Sequence, residues 1–179
     1  MITVRKNEKD FNLEYVNHMV HHKNLENVLI HGLLSHNEAY KRGLITEDIS
    51  MSEVQARRHN RNLRVDDLQY GVHDLVSFYL NSKNPMLYKR KELQPELVII
   101  LISADIIDCK KTDAKFSIVS DGNAGSNATK FYIGKQKLIE IDLELIFSGS
   151  WNNEDLQIKN ENKRKMCAEV LIYPSVSIF

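Results

Sequence analysis

The segment Met166-Cys167-Ala168-Glu169-Val170-Leu171-Ile172-Tyr173 decides the fold, because it is an apolar run rich in branched residues near the end of the chain. Such a run predicts a central β-strand. Its single carboxylate, Glu169, must there be desolvated, paired or placed at the mouth of a cleft. Placement at a cleft would indicate a catalytic role for Glu169. The alternative is that Glu169 points to solvent from a half-buried strand.

The composition is typical of a globular protein, with 42% hydrophobic and 27% charged residues in a chain of 179. This length predicts a single domain over residues 1–179, large enough to bury a core without disulfides or metal. The 24 basic and 24 acidic residues cancel, so no overall field attracts a polyanion or an anionic membrane. Any contact with nucleic acid must therefore come from local patches.

The cysteines and the first residues predict a cytoplasmic protein. Cys109 and Cys167 lie far apart without CxxC spacing, and the N-terminal residues lack the apolar core of a signal peptide. The longest apolar stretch, 97–102, is too short to span a bilayer. We therefore expect no membrane segment.

Three helices are predicted from spacing and capping residues. Leu25, Val28 and Leu29 repeat at helical spacing and are followed by Gly32, which suits a helix end. A second helix is expected over 51–60, with Asp48 or Ser50 as its N-cap, and a short third one over 142–147.

Strands are predicted between these helices without a regular alternation. They are expected over 13–16, 75–80, 97–102, 131–133 and 166–173, with 97–102 as the clearest buried strand. This order predicts an α+β fold instead of a doubly wound sheet. The flexible loop 120–127 carries Gly122 and Gly125 but lacks the strand and helix of a dinucleotide fingerprint.

Three histidines, His18, His21 and His22, lie within five residues. The His-Glu-x-x-His pattern of zinc enzymes is missing, so no metal is expected. One interpretation is a buried, hydrogen-bonded histidine with two more at a helix start. The other is an imidazole at a strand end that binds a ligand at the edge of a cleft.

The segment 57–64 holds four arginines in eight residues. A solvated helix end is one interpretation, because cations there complement the helix dipole. Recognition of phosphate by the arginine fork is the other. The basic triplets 89–91 and 163–165 are weaker patches of the same kind.

Several uncommon motifs follow one another in an order that resembles the DarT-type DNA ADP-ribosyltransferase toxins, a branch of the NAD-consuming ADP-ribosyltransferase superfamily. The resemblance runs through most of the chain. The motifs that carry it are His18-Met19-Val20-His21-His22-Lys23-Asn24-Leu25, Gly32-Leu33-Leu34-Ser35, Arg57-Arg58, His73-Asp74-Leu75-Val76-Ser77-Phe78-Tyr79-Leu80, Asn84-Pro85-Met86-Leu87-Tyr88, Ser120-Asp121-Gly122-Asn123-Ala124 and Ala168-Glu169.

The resemblance implies an α+β ADP-ribosyltransferase fold, with two small packed β-sheets, flanking helices and an NAD cleft between the sheets. It implies that Glu169 and Arg58 are catalytic. Because a carboxylate in a cleft contributes to the transition state and not to the core, we expect replacement of Glu169 by alanine to abolish activity with little loss of stability. The NAD-binding residues that it implies are His18, Val20, Asn24, Arg58, Tyr79 and Met86. The DNA-binding residues are Arg57, Arg61, Asn123 and Lys163.

The implied acceptor is a base in single-stranded DNA, with thymine favoured and guanine possible. The protein would be a monomeric toxin that a macrodomain antitoxin opposes. RNA or protein as the acceptor is the alternative, and a catalytically silent nucleic-acid-binding module is another. The chain departs from the family pattern at Val20, at Ser77, where the family has a proline, and at Lys83, where it has an arginine.

Overall fold

The computed structural model describes residues 1–178. The strands within this range are β1 (Ile2–Lys6), β2 (Lys9–Leu13), β3 (Tyr15–His21), β4 (Leu33–Leu34), β5 (Asn62–Val65), β6 (Leu68–Gly71), β7 (Val76–Tyr79), β8 (Leu97–Ser103), β9 (Phe116–Ser120), β10 (Phe131–Ile133), β11 (Glu169–Tyr173) and β12 (Ser175–Val176). The helices are α1 (Leu25–His31), α2 (His36–Lys41), α3 (Ser52–His59), α4 (Pro85–Lys89), α5 (Leu143–Phe147) and α6 (Leu156–Lys165).

The main sheet has six antiparallel strands in the order β10-β9-β11-β7-β3-β8. Strands β3 and β7 pair at one position only, Asn17 opposite Tyr79, where the Asn17 amide donates to the Tyr79 carbonyl at 3.2 Å. The sheet therefore divides there into a four-stranded and a two-stranded part. The α+β fold class is confirmed, and these two parts belong to one hydrogen-bonded sheet. Three two-stranded sheets accompany them.

Strand β11 lies between β7 and β9, as the apolar run predicted. Val170, Leu171 and Ile172 are fully buried. Because side chains alternate along a strand, Val170 and Ile172 pack in the larger core cluster and Leu171 packs in a smaller cluster with Leu63 and Ile118. The central strand is confirmed, although it begins at Glu169 and not at Met166.

The structure differs from three local predictions. Strand β8 was expected to be buried, but it lies at one edge of the sheet, and Leu101 in it is 54% exposed. An apolar run does not by itself distinguish a central strand from an edge strand that is covered by loops. Met51, with no side-chain cap, precedes helix α3 in place of Asp48 or Ser50. His18 lies in the middle of β3 and not at its end.

The first helix ends as predicted, at Gly32. Its φ is +73°, a value that favours glycine, and its N–H donates to the Val28 carbonyl at 2.9 Å. A Cβ there would lie 2.7 Å from the carbonyl oxygen of Val176, so the close approach of β12 also requires glycine. Among the helices of residues 1–178, none is long and apolar enough to cross a membrane.

Candidate active site

The centre of the site is a buried ion pair between Arg58 of α3 and Glu169, the first residue of β11. Arg58 Nη1 donates to both carboxylate oxygens at 2.9 Å. The backbone N–H of Ala124 donates to Glu169 Oε1, also at 2.9 Å. Arg58 is 9% exposed and Glu169 is 1% exposed. The carboxylate is thus desolvated and paired, and it does not stand open at the mouth of a cleft.

Burial alone would lower the pKa of Arg58, but the charge of Glu169 raises it above its usual value. Arg58 Nη2 also donates to the Ser77 hydroxyl at 2.6 Å. The guanidinium is therefore held from two sides, by β11 and by β7. Such short contacts from a charged donor are the strong class of hydrogen bond.

The end of β9 and the loop that follows it also contact Glu169. Ser120 Oγ accepts from the Glu169 N–H at 2.9 Å, at the point where the loop begins. Arg164 of α6 fixes the loop by donating to Asp121 at 2.7 Å and to the Thr129 hydroxyl at 3.0 Å. This arrangement keeps the Ala124 N–H aimed at Glu169.

The imidazole of His18 is oriented by Ser77. His18 Nδ1 lies 2.8 Å from the Ser77 carbonyl oxygen, and because a carbonyl only accepts, Nδ1 carries the proton. Burial lowers the pKa of His18, and the Ser77 carbonyl opposes this only in part. The ring is thus neutral near pH 7, and Nε2 is a hydrogen-bond acceptor.

Two adjoining cavities lie beside the ion pair. The first, of about 250 Å³, is lined by all the predicted NAD-binding residues, His18, Val20, Asn24, Arg58, Tyr79 and Met86. The second, of about 640 Å³, is lined by three of the predicted DNA-binding residues, Arg57, Asn123 and Lys163. The two cavities share Ser50, Gln55, Tyr79 and Met86, which we call the shared wall.

Two of the predicted ligand-binding residues, Asn24 and Arg61, form hydrogen bonds with other residues of the protein. The Asn24 amide donates to the Glu47 carbonyl at 2.6 Å and accepts from two backbone N–H groups of the same loop. Arg61 lines neither cavity; it donates to Asn127 and Thr129 and lies over the ring of Phe131. Both residues fix loops of the site, and a direct contact with a ligand stays a prediction for them.

Arg57 and Arg58 have different environments although they are neighbours on α3. Arg57 is exposed in the second cavity, whereas Arg58 is buried against Glu169. Lys89 and Lys163 add positive charge to the second cavity, while Arg164 is paired with Asp121 and Glu161. The second cavity therefore has a basic rim that suits a phosphate backbone.

The shared wall contains a tyrosine that stays neutral. Burial, and then the charge of Glu169, raises the pKa of Tyr79 well above 10. Tyr79 lies opposite Glu169 in the β7–β11 register. Its ring thus offers an uncharged aromatic surface to both cavities.

Two residues that line the cavities, Ser77 and Gln55, were not predicted from the sequence as residues of the site. Ser77 bonds both Arg58 and His18, which are distant in sequence. Gln55 Oε1 is buried in the shared wall, and none of the residues 1–178 donates a hydrogen bond to it. The one signal in the sequence is the spacing of three between Gln55 and Arg58, which places both on one helix face.

The histidines divide between two environments. His18 faces the first cavity, while His21, His22 and Glu96 place one potential ligand atom each within 4.8 Å of one another. His22 Nε2 and Glu96 Oε2 already lie within hydrogen-bond distance of each other, at 2.7 Å. The absence of a bound metal stays a prediction for this group.

Comparisons with known proteins agree with this geometry. Residues 17–178 match the family described as "DarT: ssDNA thymidine ADP-ribosyltransferase". A curated relative from Thermosipho africanus, a "DNA ADP-ribosyl transferase-DNA ADP-ribosyl glycohydrolase fusion protein", is 27% identical over 164 residues, or 89% of this chain. The chain spans only 38% of that relative's length.

Two solved structures of a Thermus protein are similar in fold. "Thermus sp. 2.9 DarT in complex with ADP-ribosylated ssDNA" has a TM-score of 0.77 and 21% identity, covering 92% of this chain and 77% of that one. The same protein in complex with NAD⁺ has a TM-score of 0.74 and 20% identity, with coverage of 93% and 78%. At this level of identity the likeness shows the fold.

Proposed function

The chain belongs to the DarT family of single-stranded-DNA thymidine ADP-ribosyltransferases, and from this premise we propose that it transfers ADP-ribose from NAD to a base in single-stranded DNA. Thymine is the favoured base and guanine the second. The observation that carries the proposal is the buried Arg58–Glu169 pair beside two adjoining cavities. One cavity would hold NAD and the other the DNA strand.

The first cavity offers groups that fit NAD. His18 Nε2 is an acceptor suited to a ribose hydroxyl, and Val20 and Met86 provide apolar wall. Bound NAD would supply the ADP-ribosyl group and nicotinamide as its leaving group. Tyr79 offers a neutral ring on which a planar base or nicotinamide can stack.

Glu169 would stabilise positive charge on the ribose as the nicotinamide bond breaks, as carboxylates do in glycoside hydrolysis. A carboxylate has about four lone-pair sites. The two contacts from Arg58 and the one from Ala124 occupy three of them. One lone-pair site on Oε2 is left without a donor and would accept from a ligand hydroxyl, while Arg58 would orient the base.

The basic rim of the second cavity supports a nucleic-acid acceptor. Arg57 and Lys163 would neutralise phosphates, so activity should fall as salt rises although the whole protein is neutral. A base must leave the stack before its ring atoms can reach the ribose. Single strands should therefore be better substrates than duplexes.

The biological role that we propose is that of a toxin, monomeric by itself and opposed by a macrodomain antitoxin that removes the modification. The curated relative supports an enzyme that removes the modification, because its name joins a DNA ADP-ribosyl transferase to a DNA ADP-ribosyl glycohydrolase. Co-expression with such a glycohydrolase should relieve growth inhibition, whereas co-expression with an inactive form should not.

Incubation with NAD and matched single-stranded, duplex and RNA oligonucleotides tests the activity. Mass spectrometry should find an added ADP-ribose on the single-stranded DNA. An adduct on RNA or protein alone would replace the proposed acceptor. Binding to DNA without any NAD consumption would indicate a silent binding module.

A further inference from the structure

Two aromatic residues on the surface, Tyr88 and Trp151, have no role in the site described so far, and we call them the aromatic pair. Tyr88, in α4, is 62% exposed. Its ring contacts that of Trp151, in the loop between α5 and α6, with centroids 5.5 Å apart and ring planes at 70°. Trp151 therefore supports a tyrosine ring that is still largely open to solvent.

The aromatic pair borders the second cavity. Pro85 and Lys89 of the same short helix line that cavity. Tyr88 follows Pro85 by three residues, which places both on one face of the helix, and it directly precedes Lys89. The loop that carries Trp151 leads into α6, where Gln157 also lines the cavity. The exposed Tyr88 ring thus continues the rim of the second cavity on its α4 side.

The charges around the aromatic pair favour a nucleic-acid strand on this side. Lys89 and Lys91 are exposed at the end of α4 and just after it. Glu154 and Asp155, which follow Trp151, are exposed acids. A phosphate backbone is attracted to the lysines and repelled by the acids. A strand that leaves the second cavity should therefore pass over α4 and Tyr88, and not over the acidic loop.

A nucleobase is the ligand that fits an exposed aromatic ring beside a basic rim. Proteins hold single-stranded nucleic acid by combining a positively charged groove with aromatic side chains on which bases stack. Every base has a flat face, so such a contact binds the strand without selecting a sequence. A strand whose acceptor base is in the site continues beyond the cavity, and its flanking bases are unpaired and free to stack.

We propose that Tyr88 is a stacking platform for a base that flanks the acceptor base in single-stranded DNA, and that Trp151 supports its ring. This inference rests on the proposed function, since the strand must enter the second cavity. No bond forms or breaks at the aromatic pair, so its contribution is to the binding of DNA. Because a duplex buries the faces of its bases, the contact also favours single strands.

Oligonucleotides with one abasic nucleotide test the proposal. Each keeps the acceptor base and all phosphates but lacks one flanking base. At one position, loss of the base should weaken binding of DNA to the wild type about tenfold, as expected for one stacked base. The KM for NAD should stay unchanged. In Tyr88→Ala the intact strand should already bind about tenfold more weakly, and the same abasic nucleotide should have no further effect.

Two variants control for structure and for chemistry. Tyr88→Phe keeps the ring and should bind DNA like the wild type. Tyr15→Ala is the matched control, because Tyr15 is 50% exposed at the start of β3 and lines neither cavity. It should leave DNA binding unchanged. Tyr88→Ala should melt close to the wild type, since most of the ring that it removes is exposed.

Trp151 supplies a second readout, because it is the only tryptophan of the chain. A base stacked on Tyr88 changes the surroundings of the indole, so saturating single-stranded DNA should alter the tryptophan emission of the wild type. The abasic strand that binds weakly should alter it less at saturation. Unchanged emission at saturation would contradict the proposal.

The outcomes separate the inference from the proposed function. If each abasic nucleotide affects the wild type and Tyr88→Ala equally, the inference is wrong, although transfer to DNA can still take place. If the strand stacks on Tyr88 but no ADP-ribose is transferred, the proposed function is wrong and the platform remains. A concentration-dependent dimer that Tyr88→Ala abolishes, with unchanged DNA binding, would assign the aromatic pair to a contact between two copies and overturn the inference.

Discussion

Removal of the Glu169 carboxylate should cost both stability and activity. An open cleft carboxylate would cost little stability, but here Glu169 is 1% exposed and accepts three hydrogen bonds. In Glu169→Ala the Arg58 cation is left buried without its partner, which typically costs about 3–5 kcal/mol. For a chain of this size that corresponds to a fall in melting temperature of about 10 °C.

Two further variants separate charge from shape at this position. Glu169→Gln keeps the volume and an acceptor for the Ala124 N–H but removes the charge, and it should lower transfer about 10²–10³-fold. The double variant Glu169→Leu, Arg58→Met replaces both ions by apolar groups and should recover part of the lost stability. The recovery should be incomplete because the Ala124 N–H loses its acceptor.

The assay combines thermal melting with single-turnover transfer of ADP-ribose to single-stranded DNA. The double variant should melt above Glu169→Ala and remain inactive, and the single variants Glu169→Leu and Arg58→Met complete the cycle that gives the coupling energy between the two side chains. If Glu169→Ala melts within about 2 °C of the wild type, the pair does not stabilise the fold as argued. If it keeps near-wild-type transfer, Glu169 is structural and the mechanism fails.

Three other predictions follow from the same contacts. Arg58→Ala should lower transfer of ADP-ribose far more than Arg57→Ala does. Adjacent helical residues point about 100° apart, and of these two arginines only Arg58 contacts Glu169. Equal losses in folded variants would indicate a diffuse phosphate patch. Ser77→Ala should lower kcat several-fold and lower the melting temperature by several degrees, since a hydrogen bond from the charged guanidinium to the Ser77 hydroxyl is lost. Ser77→Thr should restore both quantities, and no change in kcat would exclude a positioning role. Burial, with a smaller contribution from His36, lowers the pKa of His73 to about 4. The folded protein therefore binds fewer protons at this residue than the unfolded chain below pH 6.5, and the melting temperature should fall from pH 7 to pH 5. His73→Phe should make this fall shallower, and an unchanged dependence of the melting temperature on pH would refute the assignment to His73.

The sequence was sufficient for features that depend on a local pattern. The branched run after Glu169 predicted the central strand, and Gly32 predicted the end of the first helix, because burial on both faces and a positive φ each demand particular residue types. Helix geometry allowed only one of Arg57 and Arg58 to face the expected cleft, and the resemblance selected Arg58. The structure places Arg58 against Glu169, 111 positions away in the chain.

Other features depend on tertiary pairing, which a single sequence does not encode locally. The apolar strand β8 was expected to be buried, and nothing in its own residues shows that, within residues 1–178, it pairs with β3 on one side only. Helix α6 was not predicted, since its residues are largely polar and lack an apolar stripe. The unpaired Oε1 of Gln55 is a property of its surroundings, so no reading of residue types would have found it.

The serine at position 77 shows how one departure from the family pattern changes the support of the site. The resemblance places a proline there, and a proline has neither an N–H for the strand ladder nor a hydroxyl. In this chain Ser77 pairs with Leu171 in the β7–β11 ladder, its hydroxyl accepts from Arg58 and its carbonyl accepts from His18. One residue of β7 therefore fixes the guanidinium on one side and the imidazole tautomer on the other. Because both contacts come from the same backbone position, the distance between Arg58 and His18 is set by the sheet and not by a flexible loop.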